Sequence, residues 1–186
     1  MNAWKHFCTI TKHRWKVRKH CFRVGLYWRG LVHDLSKYSW VEFRSGVKYY
    51  QGTRSPNSRE REVIGYSLAW MHHKGRNRHH FEYWNDINIA TRQYEPVPMP
   101  RKFFVEMVMD RIAACKIYNG KSYTDGDALA YLERSIEANE SSTMHPQTKR
   151  ELMFILTMLR DRGEKETFRF IREVVLKNRD FLPNSD

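Results

Sequence analysis

Paired cysteines are missing from this sequence. Cys8, Cys21 and Cys115 share no regular spacing, so neither a disulfide framework nor a zinc knuckle can be drawn from them. Long apolar runs are missing too: no segment approaches the roughly eighteen apolar residues of a membrane span, and the opening Met1-Asn-Ala-Trp-Lys-His-Phe7 has no stretch like that of a secretion signal. These absences predict a soluble chain in a reducing cytoplasm, with no membrane partner. Strand-like alternation is nearly absent, and neither internal repeats nor low-complexity segments are evident, which leaves an all-α chain as the expectation. Acidic residues are the remaining shortage. Asp and Glu number 21 against 33 Lys and Arg, a formal net charge of +12, and such an excess favours an anionic partner.

At 186 residues the chain has the length of one domain, or of one domain with a helical appendage. From about Trp4 to Tyr27, Phe7, Ile10, Val17, Cys21 and Val24 recur at helical intervals among many Lys and Arg, the pattern of a long amphipathic helix with a basic outer face. Gly30 permits a turn before a short helix holding His33 and Asp34. Gly52 to Asn57 is a loop, and Asn57 with Glu60 forms a capping box for a helix running to about His73. Pro96, Pro98 and Pro100 forbid helix until Arg101, where Phe103, Phe104, Met107, Val108 and Ile112 resume a buried face. In the last third, Thr124 or Asp125 can cap a helix near 128–138, Pro146 suits the first turn of the next, and Gly163 separates that one from a final amphipathic helix.

The residues of chemical interest cluster in the first two thirds. His33 and Asp34 stand in the run Gly30-Leu-Val-His-Asp-Leu-Ser-Lys37, where an imidazole, a carboxylate and a lysine within one helical turn can face one cavity. A bridging Asp34 can serve two metals. His72-His73 and His79-His80 follow; on one unbroken helix a separation of seven residues means about 10.5 Å of rise, too far for a shared ion, so the chain must break between them. Gly75 in a left-handed conformation and Asn77 as a cap supply that break, leaving His79 and His80 in the first turn of the next helix. Asp110, in Val105-Glu-Met-Val-Met-Asp-Arg-Ile112, has apolar neighbours and must be paired or metal-bound if it is buried. Such a mixture of histidine and carboxylate donors suits iron, manganese, zinc or magnesium.

The order His, His-Asp, His, His, Asp on helices resembles the HD-domain superfamily of metal-dependent phosphohydrolases, in its longer-ligand version. More closely, His13 to Val17, Gly30 to Lys37, Tyr49 to Pro56, Ala69 to Trp84, Glu106 to Arg111 and Tyr118 to Asp125 are similar to a family of bacterial and phage proteins of HD-like type. The resemblance implies an HD-like helical core over 1–122 and a C-terminal helical extension over 123–186. It implies two divalent ions held by His13, with His20 as its rival, by His33 and Asp34, by one of His72 and His73, by one or both of His79 and His80, and by Asp110. The sequence departs from better-known six-ligand members in the short gap between its two histidine pairs.

The chemistry implied is attack of activated water on phosphorus, with Asp34 central, Lys37 on a phosphate, and Lys74, Arg76, Arg78 and Asn77 on further substrate groups. A nucleotide or another small phosphorylated molecule is the expected substrate, with Tyr49, Tyr50, Tyr66 and Trp70 available to stack a base. Two other functions fit the residues. The ligand order also resembles the di-iron HD oxygenases of the myo-inositol oxygenase kind, and the face carrying Lys12, Arg14, Lys16, Arg18, Lys19 and Arg23 can bind nucleic acid around a structural metal.

Overall fold

A computed structural model describes residues 2–177 and 180–182. Helix α1 (Asn2–Val24) is laid out by two interleaved sevenfold repeats, His6, His13, His20 and Ile10, Val17, Val24, all buried on one face. Phe7, expected on that face, is instead exposed beside Tyr38. Gly25, with φ of 90°, turns the chain into the short α2 (Tyr27–Val32). Gly30 therefore does not make the turn: it lies inside α2, where any side chain would overlap Cys21 and the backbone of Arg18, and its bareness lets α2 lie flat on α1.

After α2 the chain takes one 3-10 turn, Leu35–Tyr38, and enters α3 (Trp40–Lys48), capped by Ser39. Helix α4 (Pro56–Ile64) starts at Ser55 with Pro56 in its first turn, displacing the cap expected at Asn57, and ends at Gly65, whose φ is 84°. Helix α5 (Leu68–Arg76) is capped by the Ser67 hydroxyl, which accepts from Trp70 N at 3.0 Å. A 3-10 turn at Phe81–Tyr83 leads to a small antiparallel hairpin, β1 (Asn85–Ile87) with β2 (Tyr94–Pro96), in the register Asn85 to Pro96 and Ile87 to Tyr94.

Helix α6 (Arg101–Asn119) is the central element. It buries Phe103, Phe104, Val105, Met107, Val108, Met109, Ile112 and Ala113, nearly its whole circumference over three turns. Helices α1, α7 (Asp127–Glu137) and α8 (Pro146–Glu173) pack around it. Pro146 opens α8 as expected, and Gly163, at φ 75° and ψ 171°, kinks it. Leu152, Ile155, Leu156, Leu159, Phe168 and Ile171 of α8 complete one core with α1 and α6. The fold is all-α with one minor hairpin, and no helix among the described residues is long and apolar enough to cross a membrane.

Candidate metal centre

Five separate segments converge between α1, α5 and α6. His13 comes from the buried face of α1. His33 and Asp34 occupy the break after α2 and not a helix, with His33 extended (φ −50°, ψ 127°) and Asp34 left-handed (φ 53°, ψ 29°). A left-handed residue other than glycine costs roughly 1–2 kcal/mol, although Asp tolerates it better than most. Arg14 holds the break in place, donating from Nε to His33 O at 2.7 Å and from Nη2 to Leu31 O at 3.3 Å. The consequence is that Asp34 turns inward, 1% exposed, with its two oxygens facing different partners.

Oδ1 of Asp34 lies 3.3 Å from His73 Nε2 and 3.4 Å from His79 Nε2, while Oδ2 lies 3.4 Å from His33 Nε2 and 3.9 Å from His13 Nε2. Asp110 closes the second group, with Oδ1 2.8 Å from His13 Nε2 and 3.6 Å from His33 Nε2. Two sets of four donors can thus each surround one ion, Asp34-His73-His79-His80 and His13-His33-Asp34-Asp110, and Asp34 belongs to both. Donors bound about 2.1 Å from one ion sit roughly 3.0–3.4 Å from each other, and the separations of Asp34 from His73, His79 and His33 are of that size. The nitrogens His13 Nε2, His33 Nε2, His79 Nε2 and His80 Nε2 and both oxygens of Asp34 are buried and make no aligned hydrogen bond, an arrangement that costs stability unless a cation takes them up.

Supporting carboxylates set the tautomers. His33 Nδ1 donates to Glu106 Oε1 at 3.0 Å and His73 Nδ1 donates to Glu42 Oε2 at 2.7 Å. A carboxylate only accepts, so these bonds hold a proton on each Nδ1, and it is Nε2, facing Asp34, that would give up any second proton to bind an ion. Glu106 is itself fixed by Arg29 Nε at 2.6 Å, and Asn77 Nδ2 donates to His73 O and to Ser36 Oγ, both at 2.8 Å. Among the described residues, four buried or nearly buried carboxylates, Asp34, Glu42, Glu106 and Asp110, meet only two cationic side chains of Lys or Arg at close range, Lys37 on Asp34 at 2.7 Å and Arg29 on Glu106. His33 and His73 feel the negative excess, whereas burial lowers His13 and His80. Burial opposes it, but the carboxylates of Asp34, Asp110 and Glu106 lift His33 to about 10. Asp34 and Asp110 stay well below the usual carboxylate range despite burial, held there by His33 and Lys37 and by His13 and His33 respectively.

The sequence-derived candidates divide on this geometry. His13, His33, Asp34, His73, His79, His80 and Asp110 meet in the cluster, and Lys37 stands at its edge. His20 does not: it faces Met109 O and Phe168, one heptad further along α1. His72 turns to the outer oxygen of Glu42, at 2.7 Å, and supports the cluster without entering it. Asn77 is committed to His73 and Ser36 and has no hydrogen left for a substrate. Arg76 is exposed and donates to His72 O, Arg78 lies over the rings of Tyr83 and Phe103, and the charge of Lys74 acts on Glu82. These basic residues of the turn therefore do not converge with Lys37. The cluster is partly open to solvent at Lys37 and Asp110. Tyr118 stands there within electrostatic reach of Lys37, Asp110, Tyr50 and Tyr131. Glu42, Glu106, Arg29 and Tyr118 had no signal of their own in the sequence, apart from the position of Glu106 one helical turn before Asp110 on the same face.

Fold and site together define an all-α protein with a buried histidine and carboxylate cluster of metal-ligating type. The chain belongs to the family of unknown function DUF5662, whose profile matches residues 2–158. No curated protein and no solved structure matches it.

Proposed function

We propose that the protein is a metal-dependent phosphohydrolase acting on a nucleotide or other small phosphorylated substrate through a dinuclear centre. The observation that carries this reading is Asp34, whose two oxygens face separate groups of unpaired imidazole nitrogens, as a carboxylate shared by two ions must. Divalent ions held there would supply Lewis acidity, activating water near neutral pH and drawing charge from phosphoryl oxygens. The chain's own part is positional. Glu42 and Glu106 keep the imidazoles of His73 and His33 in the ligating tautomer, and burial of the cluster excludes bulk water. Lys37, partly exposed at the opening, offers the ammonium that neutralises an entering phosphate, and Tyr118, within its electrostatic reach, adds a hydroxyl. Its present partner is Asp34, so a phosphate would draw Lys37 outward from one anion to another.

Elemental analysis of protein purified without chelator tests the reading, together with hydrolysis of a chromogenic phosphomonoester and a phosphodiester. Two equivalents of manganese, zinc or magnesium and turnover lost on chelation are expected. Iron with a mixed-valent paramagnetic signal and no hydrolysis would replace this reading with oxygen chemistry at the same ligands. A folded protein that neither carries nor takes up a divalent metal would refute both.

A further inference from the structure

The first carboxylate in the chain is Asp34, and the 33 residues before it contain eight Lys and Arg. Three of the eight are committed inside the fold, Arg14 to the α2 end, Arg29 to Glu106 and Arg23 to Glu164. The other five, Lys5, Lys12, Lys16, Arg18 and Lys19, project from α1 with no acidic partner among the described residues. At 100° per residue the face opposite His13 carries Trp4, Trp15 and Phe22, flanked by Arg18, Lys19 and Lys12, while Lys5 and Lys16 lie nearer the His13 side. Trp15 is 48% exposed, with the Arg18 guanidinium 4.1 Å and the Lys19 ammonium 5.1 Å from its ring centroid. The rings continue onto α2: Phe22 meets Tyr27 edge to face at 5.3 Å, and Trp28 beyond it is 71% exposed.

Exposed tryptophans are costly to keep in water and are not required by the core behind them, which α1 fills with its other face. Cations alone bind any polyanion; rings interleaved with cations add a surface on which unpaired bases stack. A membrane surface is the rival for a basic aromatic helix, but it needs a continuous aliphatic face to enter the acyl layer. The outer face of α1 has none: its rings are separated by Lys, Arg, Thr11 and Cys8.

We propose that the outer face of α1, with the start of α2, is a binding surface for single-stranded nucleic acid, its phosphates held by Lys12, Arg18 and Lys19 and its bases stacked on Trp15 and the Phe22, Tyr27 and Trp28 group. The surface lies across α1 from His13, so it is separate from the metal centre and independent of the activity proposed there.

The test is fluorescence anisotropy of the full chain with a labelled oligothymidylate of about 20 nucleotides and with the matching duplex, between about 50 and 200 mM salt. The single strand should bind more tightly than the duplex. Replacing Lys12, Arg18 and Lys19 together by alanine should reduce the slope of log affinity against log salt by about 2, close to 0.7 for each phosphate no longer neutralised. Trp15→Ala should weaken single-strand binding about tenfold, with Trp15→Phe restoring most of it, while helical circular dichroism and metal content stay at the wild-type level. No binding at the lowest salt, equal affinity for duplex with no effect of Trp15→Ala, or a preference for phosphatidylserine vesicles over the oligonucleotide would each overturn the proposal.

Discussion

Asp34 is asked to do two things that pull against each other: adopt a backbone conformation that L residues avoid, and remain ionised where almost no water reaches. Asp34→Asn separates the two, since asparagine also tolerates the left-handed region but brings no charge. The expected outcome is a folded protein that loses both ions by elemental analysis. Glu106→Gln should act more mildly, because an amide can leave the His33 proton on the wrong nitrogen without deleting a ligand; metal affinity should fall by about 10–100-fold in a competition titration. Lys37→Ala should leave metal content intact and lower kcat/KM by roughly 10–100-fold, the worth of one charge-assisted hydrogen bond. Equal metal loss in the Lys37 and Asp34 variants would contradict the separation of roles. The donor types and the central place of Asp34 among them were legible in the sequence, because histidine and carboxylate density is a local property. The choice of His73 over His72 was not: adjacent helical residues point about 100° apart, and only the seat of α5 against α3, through Glu42, decides which one faces inward.

Elements carry the next level of consequence, and the turn after α5 is the clearest case. The sequence predicts that Gly75 breaks the helix in a left-handed conformation. In the structure Gly75 lies within α5 with open space where a side chain would go, and the helix stops at Asn77, whose amide ties His73 O to Ser36. Gly75→Ala should therefore raise stability by about 0.5–1 kcal/mol in chemical denaturation without touching metal content. Asn77→Ala should do the opposite, costing about 1–3 kcal/mol through the unsatisfied buried groups and weakening whatever metal affinity His73 contributes. The helical periods of α1, α6 and α8 were readable from apolar spacing, and Pro146 and Gly163 fall where their chemistry requires. The β1–β2 hairpin was not readable: three-residue strands of mixed polarity are too short to show alternation, and their pairing depends on register with each other.

Over the whole molecule, buried histidines outside the candidate metal centre, His6 and the deeper His20, shape stability. His20 is pushed down to about 4, first by burial and then by Lys116 and Arg23, with Glu164 opposing. In the unfolded chain its ordinary value is 6.5, so below that the unfolded state binds the proton and the folded state refuses it until about 4. Stability should fall as pH drops through this window, by up to about 3 kcal/mol, and be unaffected by this group above it. Denaturant midpoints at several pH values should show a flatter acid limb for His20→Gln; identical limbs would rule His20 out as the source.

The five ligand segments, finally, reach from His13 to Asp110. Ions seated among them would act as reversible cross-links, closing loops of very different length in the chain that a thermal or chemical unfolding event has to open together. Metal exchange would then be gated by opening of the structure and not by diffusion through its mouth, and the rate at which a strong chelator strips the protein would converge on the unfolding rate. A centre built this way would serve as the clasp of the first two thirds of the chain, and the time for which it stays shut would set the lifetime of the fold.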